Sequence, residues 1–136
     1  MSAPFRHRLR VRFHECDPQG IVFNAHFLAY ADIAITELYR EAFGSWQAIM
    51  DSDAIDMVVA EANVRYLAPL RFDEEVELVA SVTRIGTTAV TTLIAVEREQ
   101  TTVAEVTLRH VVVDAETRAK TPIPDALRAG LERYSA

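Results

Sequence analysis

Phe13-His14-Glu15-Cys16-Asp17-Pro18-Gln19-Gly20-Ile21-Val22-Phe23-Asn24-Ala25-His26-Phe27 decides the reading of this chain, because it carries a carboxylate through a tight turn straight into the start of a long apolar helix. The first N–H groups of a helix have no intrahelical partner and favour negative charge. A carboxylate beside them can attack a carbonyl or deprotonate water while they hold the developing oxyanion. The same residues have a plainer use. Asp-Pro-x-Gly suits a type I turn, with Asp17 first, Pro18 second and Gly20 fourth. Asn24 likewise fits a helix N-cap whose side-chain oxygen accepts a backbone N–H.

Working outward, Arg8, Arg10 and Arg12 alternate with Leu9, Val11 and Phe13, which predicts a half-buried strand over 8–13. Phe27, Leu28, Ala31, Ala34, Ile35, Leu38, Tyr39 and Ala42 recur at helical spacing and predict a helix from Ala25 to Phe43, stopped at Gly44. Ala29 and Ile33 leave that helix little polar surface, so something must wrap it. Val58, Ala60, Ala62, Val64 and Tyr66 alternate with Glu61, Asn63 and Arg65, while Val76, Leu78, Ala80 and Val82 alternate with Glu75, Glu77, Ser81 and Thr83. Each reads as a strand with one buried face. After Gly86, the segments Ala89–Arg98 and Val103–Val113 add two more strands around a turn at Glu99–Thr101, so the expectation is an antiparallel meander. Pro122 and Pro124 end that run, and Asp125–Tyr134 predicts a short helix with Leu127 and Leu131 on one side. The fold class is α+β: a curved antiparallel sheet around one long central helix, in a single domain spanning 1–136.

Composition narrows the function. The 136 residues are 50% apolar, enough for one ordinary core. A net charge of −6 opposes a nucleic-acid partner. No apolar run approaches the ~20 residues of a membrane span, and the lone Cys16 with no leader-like opening points to the cytoplasm. His7, His14 and His110 show no metal-ligand spacing with Cys16, so neither metal nor cofactor is expected. His110, among strand residues, reads as an interior or interface histidine. Serine-hydrolase elbows and Gly-rich phosphate loops are absent.

The order of elements, together with Asp17-x-x-Gly20-x-Val22-Phe23 leading into the helix and Arg65-Tyr66-Leu67-Ala68-Pro69-Leu70 before an acidic turn, resembles the hotdog-fold acyl-CoA thioesterases of the 4-hydroxybenzoyl-CoA thioesterase type. The resemblance covers nearly the whole chain. It implies hydrolysis of an acyl-CoA to free acid and CoA, with Asp17 as nucleophile or general base. It also implies that Gly20, Val22, Phe23 and Asn24 support the oxyanion or position the substrate. Relatives of this type often carry His where this chain has Asn24. His26, about 200° further round the helix, does not replace it and reads as a packing or surface residue. A second hotdog group uses a helical carboxylate, but Asp32 and Glu37 suit salt bridges here. The resemblance further implies a homodimer or homotetramer with the site at a subunit interface, partly enclosed by the partner around residues 59–63. Arg65, Arg71, Arg84, Arg98 and Lys120 are all candidates for the CoA phosphates, and Phe23, Phe27, Tyr30, Trp46, Met50 and Met57 for an acyl pocket. Two other outcomes stay open: a non-catalytic acyl-CoA-binding module, and a hotdog enoyl-CoA hydratase or dehydratase. The Asp-x-Asn-x-x-His arrangement of the hydratase group is absent, since Asp17 is followed at those spacings by Gln19 and Val22.

Overall fold

The computed structural model describes residues 2–136. In chain order it contains β1 (Phe5–Arg10), a 3-10 turn (Phe13–Glu15), α1 (His26–Phe43), α2 (Trp46–Asp53), β2 (Ile55–Tyr66), β3 (Glu75–Ile85), β4 (Ala89–Arg98), β5 (Thr101–Asp114) and α3 (Asp125–Glu132). The strands form one antiparallel sheet in the order β1-β3-β4-β5-β2. α1 packs on that sheet through Phe27, Tyr30, Ala31, Ala34, Ile35, Leu38 and Tyr39. The expected α+β architecture with a long helix against an antiparallel sheet is present. Leu38, Leu78 and Ile94 are 0% exposed, and burying each contributes about 1.5–3 kcal/mol.

The expected meander holds only for β3, β4 and β5. β2 pairs with β5 instead of β3, and β1 takes the place beside β3. Opposite charges meet across the β1–β3 pairing: Arg6 lies 2.7 Å from Glu77 and Arg10 3.3 Å from Glu75. Such exposed pairs add little stability singly but favour one register. The tight β4–β5 reversal uses Glu99 and Gln100 with φ of 51° and 67°, the left-handed pair that a two-residue hairpin turn requires.

Three local expectations need correction. β1 begins at Phe5 and ends at Arg10, so Phe13 lies outside the sheet at 78% exposure, its ring edge-on to Phe72. The Val11 N–H still donates to the Glu74 carbonyl in line with the β1–β3 register, and the chain turns away at Arg12, whose N–H is captured by the Glu15 carboxylate at 2.7 Å. α2 went unpredicted; Ser45 caps it, its hydroxyl accepting from the Ala48 N–H at 2.9 Å. The expected buried face of β2 is open: Val58, Ala60, Ala62 and Tyr66 are exposed, because β2 is an edge strand and a bulge between Val59 and Glu61 interrupts its pairing.

Candidate active site

The turn that begins the site is closed by its own backbone. Gly20 N–H donates to the Asp17 carbonyl at 2.9 Å, and Asp17 N–H donates to the Ile21 carbonyl at 2.9 Å. Val22, 4% exposed, pins the far side by donating to the Leu70 carbonyl at 2.8 Å. Gly20 sits at φ +81°, and a β-carbon there would meet no protein atom within 4 Å. Its requirement is therefore the left-handed backbone, not room inside the protein.

Asp17 serves the turn and the cavity at once. Its Oδ1 accepts the Gln19 N–H at 2.8 Å, as a turn-forming aspartate does. Its Oδ2 makes no hydrogen bond among the described residues. The half-buried side chain lines a cavity of about 490 Å³ together with Ile21, Val22, Asn24, Phe27, Tyr66 and the Leu67–Leu70 segment. A carboxylate oxygen in such a cleft is free to act on a bound carbonyl.

The helix start departs from the expected cap. The first turn is tightened: His26 N–H donates to the Phe23 carbonyl at 2.9 Å, Phe27 N–H to Asn24 at 3.3 Å and Leu28 N–H to Ala25 at 3.3 Å. Ala25 is the N-cap residue and no side chain caps the helix, so Asn24 is not the capping residue. A three-residue first turn draws Asn24 into the turn itself and leaves its side chain on the cavity wall. Phe23 N–H is already committed to the Glu15 carbonyl at 2.9 Å. The N–H groups of Asn24 and Ala25 have no backbone acceptor among the described residues.

Two long-range contacts hold these donors in place. Tyr66 donates its hydroxyl to the Asn24 carbonyl at 3.1 Å, and its ring meets Phe27 edge-on at 5.5 Å. Tyr30 donates to the Glu15 carboxylate at 2.8 Å, tying the loop to α1. Burial first, and then the Glu15 charge, push the Tyr30 hydroxyl far above its usual range, so it remains a donor. Neither partnership carries a local signal in the sequence; the Tyr66–Asn24 pair is separated by 42 positions.

Asp17, Val22 and Asn24 thus share one cavity, whereas Gly20 shapes the turn. Phe23 lies outside the cavity with its ring against His26 at 6.2 Å. Of the proposed acyl-pocket residues, Phe27 lines this cavity, Tyr30 is buried against Glu15, and Trp46 and Met57 line another. Among the candidate cations, Arg65 is paired with Glu105 at 3.0 Å and Arg98 with Glu74 at 3.1 Å. Arg71 is bridged to Ile21 at the rim of the cavity, and Arg84 and Lys120 lie toward the opposite end of the sheet. Glu37 pairs with Arg40 at 3.2 Å. The described residues contain no cluster of metal-ligating side chains and no helix long and apolar enough to cross a membrane.

Comparison with known proteins bears on the family and the fold. Residues 11–131 match the family described as the thioesterase-like superfamily. The acyl-CoA thioester hydrolase YbgC of Escherichia coli is 32% identical over 126 residues, covering 92% of this chain and 93% of that one. A solved Aquifex aeolicus protein superposes with a TM-score of 0.88 at 26% identity, over 94% of this chain and 99% of the other. A Staphylococcus aureus protein solved in complex with CoA shares the fold with a TM-score of 0.89 at 12% identity, over 98% and 85% of the two chains.

Proposed function

The chain belongs to the thioesterase-like superfamily and is a thioester hydrolase; from that premise we propose that it cleaves acyl-CoA with Asp17 as the reacting carboxylate and the N–H groups of Asn24 and Ala25 as the oxyanion support. The observation that carries this reading is that Asp17, whose Oδ1 alone is engaged in the turn, and Asn24 at the start of α1 line one cavity. The thioester carbonyl oxygen accepts from the two unpaired N–H groups, which need no reorientation as charge develops. A single donor of this kind is typically worth about 3–4 kcal/mol. Asp17 takes a proton from water as that water adds to the carbonyl carbon. The tetrahedral intermediate then collapses with loss of the CoA thiolate, leaving the free acid. Direct attack by Asp17, giving an anhydride that water cleaves, uses the same geometry.

The narrowing from Phe23 to Asn24 and Ala25 follows from the commitment of the Phe23 N–H to Glu15. Val22 and Gly20 position the loop, and Tyr66 steadies the peptide that carries the Ala25 N–H. Arg71, at the cavity rim and without a carboxylate partner among the described residues, is the best-placed cation for a CoA phosphate. β2 offers a twelve-residue edge with Val58, Val59 and Tyr66 exposed. A second copy pairing there satisfies the edge and covers the apolar face, which supports a homodimer or an assembly built from it. The single Cys16, free in the structure, suits a cytoplasmic protein.

A thiol-release assay across short, long and aromatic acyl-CoAs tests the reading. Wild-type protein is expected to release CoA, and Asp17→Asn to lose at least ~10²-fold in turnover, the usual worth of a general base. Equal rates from the two proteins would remove Asp17 from the mechanism.

A further inference from the structure

Half-buried Glu15 makes four hydrogen bonds from one position of the loop. Its N–H donates to the Arg12 carbonyl at 3.0 Å, and its own carbonyl accepts the Phe23 N–H at 2.9 Å. Its Oε1 accepts the Arg12 N–H at 2.7 Å and the Tyr30 hydroxyl at 2.8 Å. One carboxylate oxygen is thus shared between the loop's backbone and a side chain of α1.

Glu15 also stands between the two halves of the proposed site. Asp17 follows it by two residues, and the Phe23 N–H that it binds precedes Asn24 by one. The 17–22 turn closes on itself and on the 70–71 segment. Those bonds do not reach α1; the Tyr30 hydroxyl, through Glu15, does. Tyr30 is a firm support, 1% exposed, its ring edge-on to Phe27 at 5.7 Å, and Phe27 is in turn edge-on to Tyr66 at 5.5 Å. The two tyrosine hydroxyls leave this three-ring stack at opposite ends of one segment, Tyr30 at Glu15 and Tyr66 at the Asn24 carbonyl. A hydrogen bond to a charged acceptor is roughly twice as strong as a neutral one, so it fixes direction as well as distance.

The plain use of this pair is fold stability, since a buried tyrosine hydroxyl needs an acceptor. The place of the acceptor adds a second consequence. We infer that Glu15 and Tyr30 are positioning residues: their bond holds the Glu15 carbonyl on the Phe23 N–H, and so sets which helix-start amides face the thioester and how far they stand from Asp17. The inference rests on the hydrolase reading above and adds a positioning pair to its site. With the bond cut, the Asp17 turn slides along the start of α1, and a misplacement of about 1 Å can cost up to ~10²-fold in rate. Substrate affinity draws on the rest of the cavity and changes little. What Glu15 must supply is an acceptor oxygen, not its charge.

The test compares Tyr30→Phe, Glu15→Leu and Glu15→Gln with wild type, each checked by circular dichroism. Steady-state thiol release from one acyl-CoA gives kcat and KM, and NMR gives the hydrogen-exchange rate of the Phe23 amide. Tyr30→Phe keeps the ring and should lose about 5- to 30-fold in kcat with KM within about twofold. Glu15→Leu should lose at least as much, whereas Glu15→Gln, whose amide oxygen can take both donors, should stay within about threefold of wild type. Exchange at Phe23 should be at least ~10-fold faster in Tyr30→Phe. A lowered melting temperature with unchanged kcat overturns the inference, because stability is then the pair's whole contribution. A Glu15→Gln protein as slow as Glu15→Leu overturns it too, since the charge would then be what acts. The exchange measurement separates the two readings. Wild type that hydrolyses, matched by Tyr30→Phe in both kcat and Phe23 exchange, rejects the pair and keeps the hydrolase. Wild type that releases no CoA, with exchange accelerated in the variant, keeps the pair's hold on the helix start and rejects the hydrolase.

Discussion

β4 and β2 are both written as alternating strands, yet they meet opposite fates. In β4, Val90, Thr92, Ile94 and Val96 are all buried, each at 3% exposure or less, because β3 and β5 flank the strand and its apolar face turns into the core. In β2, Val58, Ala60, Ala62 and Tyr66 stay open although the pattern is as regular. Alternation in a sequence marks which side chains share a face; it does not name what covers that face. In β4 the cover is the chain's own interior. In β2 the described residues supply none, and the proposed cover is a second copy along the edge.

The contrast can be broken from either side. Ile94→Ala, at the heart of β4, should lower unfolding stability by about 2–5 kcal/mol, read from denaturant titration. A loss below about 1 kcal/mol, closer to what surface substitutions cost, would mean that the sheet centre is not the core. Val58→Lys on β2 should leave the subunit's own stability within about 0.5 kcal/mol while shifting sedimentation from dimer to monomer, since edge lysines block strand pairing. An unchanged dimer would move the interface elsewhere.

Where β2 reaches the start of α1, a smaller effect is expected. Tyr66→Phe removes only the hydroxyl that donates to the Asn24 carbonyl. A net hydrogen bond of about 0.5–1.5 kcal/mol predicts a two- to tenfold fall in kcat/KM, with the ring contact to Phe27 preserved. Unaltered kinetics would detach Tyr66 from the helix start. The smallest effect concerns His110, whose folded pKa is depressed by burial. Below its ordinary value of 6.5 the unfolded chain takes up a proton that the folded one resists, so its contribution to stability is full above that pH and declines as pH falls toward the folded value. A His110→Leu variant should lack this acid-side decline in melting experiments; an identical pH profile would place the imidazole in water.

How much of this was legible follows the same division. α1 was readable because it carries its period over more than ten residues up to Gly44, and β4 because Thr and Val crowd Ala89–Arg98 ahead of the turn at Glu99–Thr101. The partner of β2 was not, because strand order depends on pairings between residues far apart in the chain, such as Ile55 with Asp114. At the site, the Asp17 turn was visible from Asp-Pro-x-Gly, and the residue both accepts the Gln19 N–H in that turn and lines the cavity. The choice of N–H donors was invisible. It depends on the Glu15 carbonyl occupying Phe23 and on a tightened first turn that denies Asn24 its capping role, neither of which leaves a residue-type signature.

The central claim, that one uncommitted carboxylate oxygen works beside two free helix-start amides, is tested most directly by single-turnover hydrolysis of one acyl-CoA by excess enzyme. Wild type and Asp17→Asn should bind that acyl-CoA comparably, yet the variant's chemical step should slow by at least ~10²-fold with its circular dichroism spectrum unchanged. A folded Asp17→Asn protein that cleaves the bound thioester at the wild-type rate would contradict the account.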